Sequence, residues 1–138
     1  MPHSPEQLLA LVQDVARYPE FVPGCIGAVV EKAGLESSQA SLQFKLAGLT
    51  ESFLTENTLR NGADAVQVLE MRLLRGPFKS LAGQWSIQPL GTAGSKVTLS
   101  VSLDLGAWSL GRLLVPQMER TVAAVIQAFK QRAAVLYV

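Results

Sequence analysis

The sequence predicts an α+β domain in which an antiparallel β-sheet curls around one long C-terminal helix. Three observations predict it: an apolar stripe at helical spacing near the end of the chain, a series of short alternating segments before it, and turn-forming residues between those segments. A chain of 138 residues is the length of one domain, so we expect residues 1–138 to form a single unit. Short helices at the N-terminus complete the predicted architecture.

Residues 108–137 carry the helical signal. Apolar residues recur there three and four positions apart, and charged residues fall on the opposite side. The stripe consists of Leu110, Leu114, Met118, Val122, Ile126, Phe129, Ala133 and Leu136. Because proline removes a helical hydrogen bond, Pro116 predicts either a kink that tilts residues 110–115 or a helix that begins at Pro116. A helix with so broad an apolar face requires a large concave partner.

The N-terminal residues predict a short helix. Ser4 is a suitable N-cap, Pro5 suits the first turn, and Gln7 completes the spacing of a capping box. The apolar stripe of this helix stops at residues 15–17, and a second helical turn is expected over Pro19–Val22. We expect these short helices to close one end of the sheet.

Six segments are predicted to be strands. They are Cys25–Lys32, Gln39–Leu46, Thr50–Leu59, Ala65–Leu74, Leu81–Gln88 and Val97–Leu105. Four of them alternate apolar and polar residues with a period of two, whereas Thr50–Leu59 and Ala65–Leu74 alternate less cleanly and do not indicate which face is buried. This alternation is typical of an antiparallel sheet with one buried face, and it places Ile26, Ala28 and Val30 together on one face. The links between the segments are too short for parallel crossovers. The sequence therefore predicts a meander.

The composition predicts an interior that is unusually apolar. Hydrophobic residues make up 49% of the chain and charged residues 17%, against a typical charged share of about 25%. Two explanations are open: a well-packed core, or a cavity lined by large apolar side chains. The candidates for cavity-lining, ligand-binding residues are Phe21, Phe44, Phe53, Leu69, Met71, Phe78, Trp85, Val122, Ile126 and Phe129. As a set, on a curved sheet that one helix cannot fill, they favour a cavity for a hydrophobic small molecule.

Catalytic and metal-binding chemistry is poorly represented. The single histidine, His3, stands next to the chain start, so neither a Ser-His-Asp triad nor a histidine-rich metal site is predicted. Cys25 is expected to be a small buried apolar residue. The carboxylates of Glu51, Glu56 and Glu70 lie on strands, where a solvated outer face is the expected position. We therefore predict no catalytic residue, no metal ligand and no required cofactor.

The charge distribution and the chain start predict a cytoplasmic protein. The net charge is +1, and the basic residues are scattered rather than arranged in the stripe typical of nucleic-acid binding. A single cysteine fits a reducing compartment. The first residues lack the pattern of a secretory signal, and no apolar run is long enough to span a bilayer.

Three stretches resemble a known family. Asp14–Cys25 is similar to its entry motif, Gly76–Leu81 with Gly83–Trp85 to its central motif, and Ala128–Ala133 with Tyr137 to its closing motif. Together they resemble the coenzyme-Q-binding branch of the START-like, polyketide-cyclase-like superfamily, whose bacterial members include ribosome association toxins. The resemblance covers nearly the whole chain.

The resemblance implies a helix-grip fold of the START/Bet v 1 type. It also implies binding of ubiquinone or a related polyisoprenoid lipid, with the protein acting as a carrier or chaperone in respiratory electron transfer. Such a protein would contact membrane surfaces transiently, at the periphery of the inner membrane. Its ligand would be cargo, and no catalytic residue is implied.

Two alternatives follow from the same resemblance. The first is a toxin–antitoxin function, in which the protein binds the large ribosomal subunit and blocks subunit joining. That function needs positive surface, and Arg72, Arg75 and Lys79 form the one modest cluster. The second is a cyclase-like enzyme, which would need Glu56, Glu70 or Arg72 inside the cavity.

The start of the chain departs from the family pattern. Family members carry a β-strand before the first helix, and here Met1 stands three residues before Ser4. In the family's sheet that strand would pair with the last one, Val97–Leu105. We therefore expect either a start upstream of Met1 or a homodimer formed through the exposed edge of Val97–Leu105.

Overall fold

The predicted α+β architecture is confirmed by a computed structural model, which describes residues 2–34, 37–46, 49–76, 79–91, 94–104 and 111–137. The elements are helix α1 (Pro5–Gln13), a 3₁₀-helix (Val15–Glu20), strands β1 (Cys25–Lys32), β2 (Ser37–Leu46) and β3 (Leu49–Asn61), a second 3₁₀-helix (Ala63–Ala65), strands β4 (Gln67–Arg75), β5 (Ser80–Pro89) and β6 (Ser95–Asp104), and helix α2 (Gly111–Leu136). The strands form one antiparallel sheet in chain order, so the predicted meander is right.

Helix α1 begins as the sequence predicts. The Ser4 hydroxyl accepts the Gln7 N–H at 3.2 Å, and the Gln7 side chain accepts the Ser4 N–H at 3.1 Å. The predicted second turn over Pro19–Val22 is misplaced, because the 3₁₀-helix covers Val15–Glu20. A 3₁₀-helix has three residues per turn, so its two buried residues, Val15 and Tyr18, share one face.

One residue of strand β1, Ile26, does not lie on the face that the sequence predicted. Ile26 was placed with Ala28 and Val30, but its side chain is 53% exposed. The register shifts between Cys25 and Gly27, which is the signature of a β-bulge. The extra residue reverses the alternation, so that Cys25 and Ala28 both pack on the core while Ile26 faces outward.

Helix α2 is continuous from Gly111 to Leu136, so neither a helix start nor a break occurs at Pro116. Pro116 lies in the second turn, where its missing N–H would have reached the carbonyl of Arg112. The first four N–H groups of a helix have no helical partner in any case, so the proline removes one bond close to an end that is already incomplete. A kink of the helix at Pro116 stays a prediction.

The main core lies where α1 and α2 meet the middle of the sheet. Its most buried side chains come from α1, β2, β4, β5 and α2: Leu8, Leu11, Val12, Ala40, Leu69, Trp85, Ile87, Phe129 and Ala133. His3 is half-buried rather than frayed, since its carbonyl accepts the Ser95 hydroxyl at 2.9 Å and its ring lies 5.9 Å from that of Tyr137. These contacts bring the N-terminus to the start of β6.

Within the described residues, β6 pairs with β5 alone and forms one edge of the sheet. The predicted edge strand Val97–Leu105 corresponds to β6, apart from Leu105, which lies outside the described residues. Homodimer formation through this edge remains a prediction.

Tyr18 joins α1 to the 3₁₀-helix. Its hydroxyl donates a hydrogen bond to the carbonyl of Val12, one of the last carbonyls of α1, which have no partner within the helix. Tyr18 is buried, and this burial, with smaller contributions from Cys25 and Asp14, raises the pKa of the phenol well above its ordinary value. The hydroxyl therefore stays protonated and keeps donating to Val12.

Replacing Tyr18 with Phe should test this contact. The substitution keeps the ring and leaves the Val12 carbonyl buried without its donor, so the free energy of unfolding should fall by about 1–3 kcal/mol. Urea unfolding followed by circular dichroism measures the change. Tyr137→Phe is the matched control, because it removes a hydroxyl from a half-buried tyrosine that forms no such bond with the residues that the structure describes. Equal stability of Tyr18→Phe and the parent protein would contradict this role.

Candidate functional site

An apolar cavity of about 380 Å³ lies between the concave face of the sheet and helix α2. Strands β2 to β6 and α2 all contribute side chains to its wall. Six of the ten side chains proposed from the sequence line it: Phe44, Phe53, Met71, Trp85, Val122 and Phe129. The structure therefore brings most of the predicted set together around one space.

The other four predicted residues lie elsewhere. Phe21 packs against the ring of Phe129 beside the cavity, and Ile126 is half-buried on α2 without reaching the cavity wall. Leu69 is buried, but it lines a separate cavity. Phe78 lies outside the described residues. Contact of any of the ten residues with a ligand stays a prediction.

Sequence reasoning missed several smaller members of the cavity wall. They are mostly aliphatic: Val22, Leu42, Leu73, Leu81, Leu99, Val101 and Val125. The signal was present in the period-two pattern, since Leu42 stands two residues before Phe44 and Leu73 two residues after Met71. The prediction rested on large side chains, which are mostly aromatic, and therefore omitted the smaller aliphatic side chains on the same strand faces.

An aromatic cluster closes the inner end of the cavity. The ring of Phe129 lies 4.8 Å from Trp85, 4.9 Å from Phe21 and 5.4 Å from Tyr18, in each case in a tilted or edge-to-face arrangement. Such pairs add roughly 0.5–1.5 kcal/mol each beyond the area they bury. The cluster fixes α2 against the sheet at this end, and the space beyond it is left open.

A charged contact holds the same region together from outside. Arg132 of α2 donates to the Glu20 carboxylate at 2.9 Å, and its guanidinium lies 5.1 Å from the centre of the Phe21 ring. Arg17 also pairs with Glu20, at 3.2 Å. These hydrogen bonds, that of Arg132 first, lower the pKa of Glu20 and so favour the ionised carboxylate that accepts them. The 3₁₀-helix is thereby tied to α2.

Few polar side chains reach the cavity. Thr55 is 4% exposed, and its hydroxyl donates to the Ala40 carbonyl at 3.4 Å. Thr121 and Glu119 reach it from α2, and the Glu119 side chain is exposed. Cys25 is buried as predicted, and burial raises the pKa of its thiol. The wall is therefore suited to a ligand that is mostly hydrocarbon.

The carboxylates named for the enzymatic alternative, Glu56 and Glu70, lie on the outer face of the sheet, whereas Arg72 is one of the residues that line the cavity. Glu56 and Arg72 are cross-strand neighbours that pair at 2.9 Å, and Arg60 pairs with Glu70 at 2.6 Å. Their neighbours Thr55 and Met71 face inward, so the alternation of the strands directs these charges to the outer face. Arg72 touches the cavity rim while its guanidinium is bound to Glu56.

The part of the chain that the structure describes contains no group of three histidine, cysteine or acidic side chains placed to hold a metal ion. Within the same residues, no helix has the length and apolar character needed to cross a membrane.

Comparison with known proteins identifies the family. A sequence model of the family described as polyketide cyclase / dehydrase and lipid transport matches residues 1–130. The ribosome association toxin RatA of Vibrio cholerae is 35% identical over 134 residues, which is 97% of this chain and 90% of that protein.

Two solved structures share the fold at low sequence identity. The Zhui aromatase/cyclase from Streptomyces sp. R1128 superposes with a TM-score of 0.81 at 16% identity, covering 96% of this chain and 88% of that one. A STAR-related lipid transfer protein from Xanthomonas axonopodis gives 0.77 at 13% identity, covering 97% and 81%. The predicted resemblance and helix-grip fold are confirmed, and the chain belongs to the polyketide cyclase / dehydrase and lipid transport family of START-like domains.

Proposed function

We propose that this chain binds a hydrophobic small molecule without transforming it, and that the ligand is ubiquinone or a related polyisoprenoid lipid. The protein would act as a carrier or chaperone that supports respiratory electron transport and meets membrane surfaces transiently. The observation that carries this proposal is the apolar cavity between the sheet and α2. The ligand is cargo, so the function requires no further cofactor.

The size and opening of the cavity support a ligand of this class. A volume of about 380 Å³ is at the lower end of the range of about 300–1,000 Å³ found for ligand pockets. It suits a ring with the first part of an isoprenoid tail. Val101 lines the cavity and is 41% exposed, so the cavity opens toward solvent beside β6, where a longer tail can leave. Burial of each tail CH₂ contributes about 0.8 kcal/mol before the costs of binding.

The placement of charge supports a non-catalytic function. General acid–base chemistry needs a titratable group within hydrogen-bond reach of the reacting atoms. The carboxylates of Glu56 and Glu70 are instead bound to Arg72 and Arg60 on the outer face of the sheet. Of the three groups that the sequence offered for a cyclase-like activity, only Arg72 lines the cavity, and its guanidinium is bound to Glu56.

Filling the cavity should weaken ligand binding. Val122 lines the cavity from α2, so Val122→Trp should weaken binding of ubiquinone-2 at least about tenfold, or 1.4 kcal/mol. Isothermal titration calorimetry measures the affinity. The matched control is Val135→Trp, which makes the same substitution on the same helix at a side chain that is 69% exposed. Unchanged affinity of Val122→Trp would show that the ligand binds outside the cavity.

A second candidate function is ribosome binding, which is favoured by the relatives named ribosome association toxin. The structure limits the basic surface available for it. Arg72 pairs with Glu56, and Lys79 lies 3.9 Å from Asp104. The cluster has three cations, Arg72, Arg75 and Lys79. Two carboxylates, those of Glu56 and Asp104, pair with two of these cations, so the local charge is about +1. In the described part of the chain, Arg75 is the member of the cluster without an ion pair.

Charge reversal at Arg75 tests the ribosomal candidate. If the cluster meets ribosomal phosphates, Arg75→Glu should weaken co-sedimentation with the large subunit at low salt. It should also reduce the slope of log affinity against log salt by about 1. Lys96→Glu, an equal charge reversal at an exposed position at the start of β6, should leave both quantities unchanged. Equal effects of the two variants would contradict a specific contact at Arg75.

A further inference from the structure

The wall of the apolar cavity contains one position without a side chain, Gly83. This buried residue lies on β5 between Leu81 and Trp85, which line the cavity two residues to either side. Its partners across the sheet are Met71 of β4 and Val101 of β6, which also line the cavity. A glycine inside a strand often marks a position where another group approaches the backbone closely.

The side chain of Met71 is the group that approaches Gly83. A Cβ atom placed on Gly83 would lie 2.7 Å from the terminal methyl carbon of Met71 and 3.8 Å from its Cβ. Carbon atoms in contact are about 3.5–4.0 Å apart, so the methyl group occupies the space that a side chain at position 83 would need. The Met71 side chain therefore leans across the sheet toward β5.

Displacing this methyl group would narrow the cavity. Met71 is half-buried and lines the cavity, with the sheet on one side of its side chain and the cavity on the other. A methionine side chain is unbranched and has three rotatable bonds, so it changes position more easily than a branched side chain. A methyl group pushed away from Gly83 therefore moves into the cavity while the strands keep their places.

We infer that Met71 is the adjustable part of the cavity wall, and that Gly83 determines how far its side chain reaches into the cavity. The pair thereby sets the width that a ligand can have. The inference rests on the proposed lipid-binding function and adds the residues that select the ligand by size. The ring of a lipid such as ubiquinone is wider than its isoprenoid chain, so the fit of the ring depends on this pair.

A double-mutant cycle tests the pair. Gly83→Ala should force the Met71 methyl group into the cavity and weaken binding of ubiquinone-2 about tenfold, as measured by titration calorimetry of the whole chain. In a Met71→Ala background the new side chain at position 83 meets no such methyl group. The same change should therefore alter the affinity by less than about twofold there, because only residues in contact are coupled in this way.

Gly27→Ala is the matched control. Gly27 also lies inside a strand, and a Cβ atom there would lie 2.9 Å from Oε1 of Gln43. Gln43 is exposed and stands between two cavity residues, Leu42 and Phe44, so the alternation of β2 places it on the outer face. Its displaced side chain moves into solvent, and the affinity for ubiquinone-2 should be unchanged.

The outcomes separate the inference from the proposed function. No loss of affinity in Gly83→Ala, or an equal loss with and without Met71, would overturn the inference and leave the proposed function standing. Failure of the parent protein to bind ubiquinone-2 would overturn the proposed function and the inference with it.

A measurement on the parent protein decides the point even if Gly83→Ala does not fold. In protein with isotope-labelled methionine methyl groups, nuclear Overhauser effects should connect the Met71 methyl group to the α protons of Gly83. With ubiquinone-2 added, they should also connect it to the methoxy protons of the ring. Absence of either contact would overturn the inference.

Discussion

The packing of Phe129 against Trp85, Tyr18 and Phe21 sets the position of helix α2 on the sheet. It seats α2 on the sheet through rings 4.8–5.4 Å apart at one end of the concave face. A curved sheet presents more apolar surface than one helix can cover. Once the contact is fixed at this end, the surface beyond it stays uncovered, and that surface becomes the wall of the apolar cavity.

The side chains that hold α2 on the sheet also form one end of the cavity wall. Tyr18, Trp85 and Phe129 are buried and line the cavity, whereas other lining residues, such as Met71, Leu99 and Val122, are half-buried. The ion pairs of β3 and β4 lie on the outer face of the sheet. The domain therefore combines a packed core at one end of the sheet with an apolar cavity at the other.

Much of the fold could be predicted from the sequence because its signals are periodic. The alternation of β2 to β6 placed every strand within about two residues, and the helical stripe placed α2. The bulge after Cys25 could not be predicted, because nothing in the residue types of β1 marks the position of a register shift. The shift turns Ile26 outward. Pairings such as Glu56 with Arg72 depend on strand register, which a single alternating segment does not fix.

The sequence predicted an apolar cavity on the sheet, but it did not predict which residues form the boundary of that cavity. Large apolar residues identified one face of the sheet, yet the pattern could not show that Leu69 and Met71, two residues apart, line different cavities. That division arises from how α1 and the 3₁₀-helix pack over the sheet, which is a matter of tertiary contact.

The central claim is that the space beside Trp85 and Phe129 holds a lipid rather than being closed by side chains. Native mass spectrometry of the protein purified from its own host measures this most directly. The spectrum should contain a population heavier than the bare chain by the mass of one isoprenoid lipid, and extraction into organic solvent should recover that lipid. Repeated recovery of the bare chain alone, with no lipid in the extract, would contradict the claim.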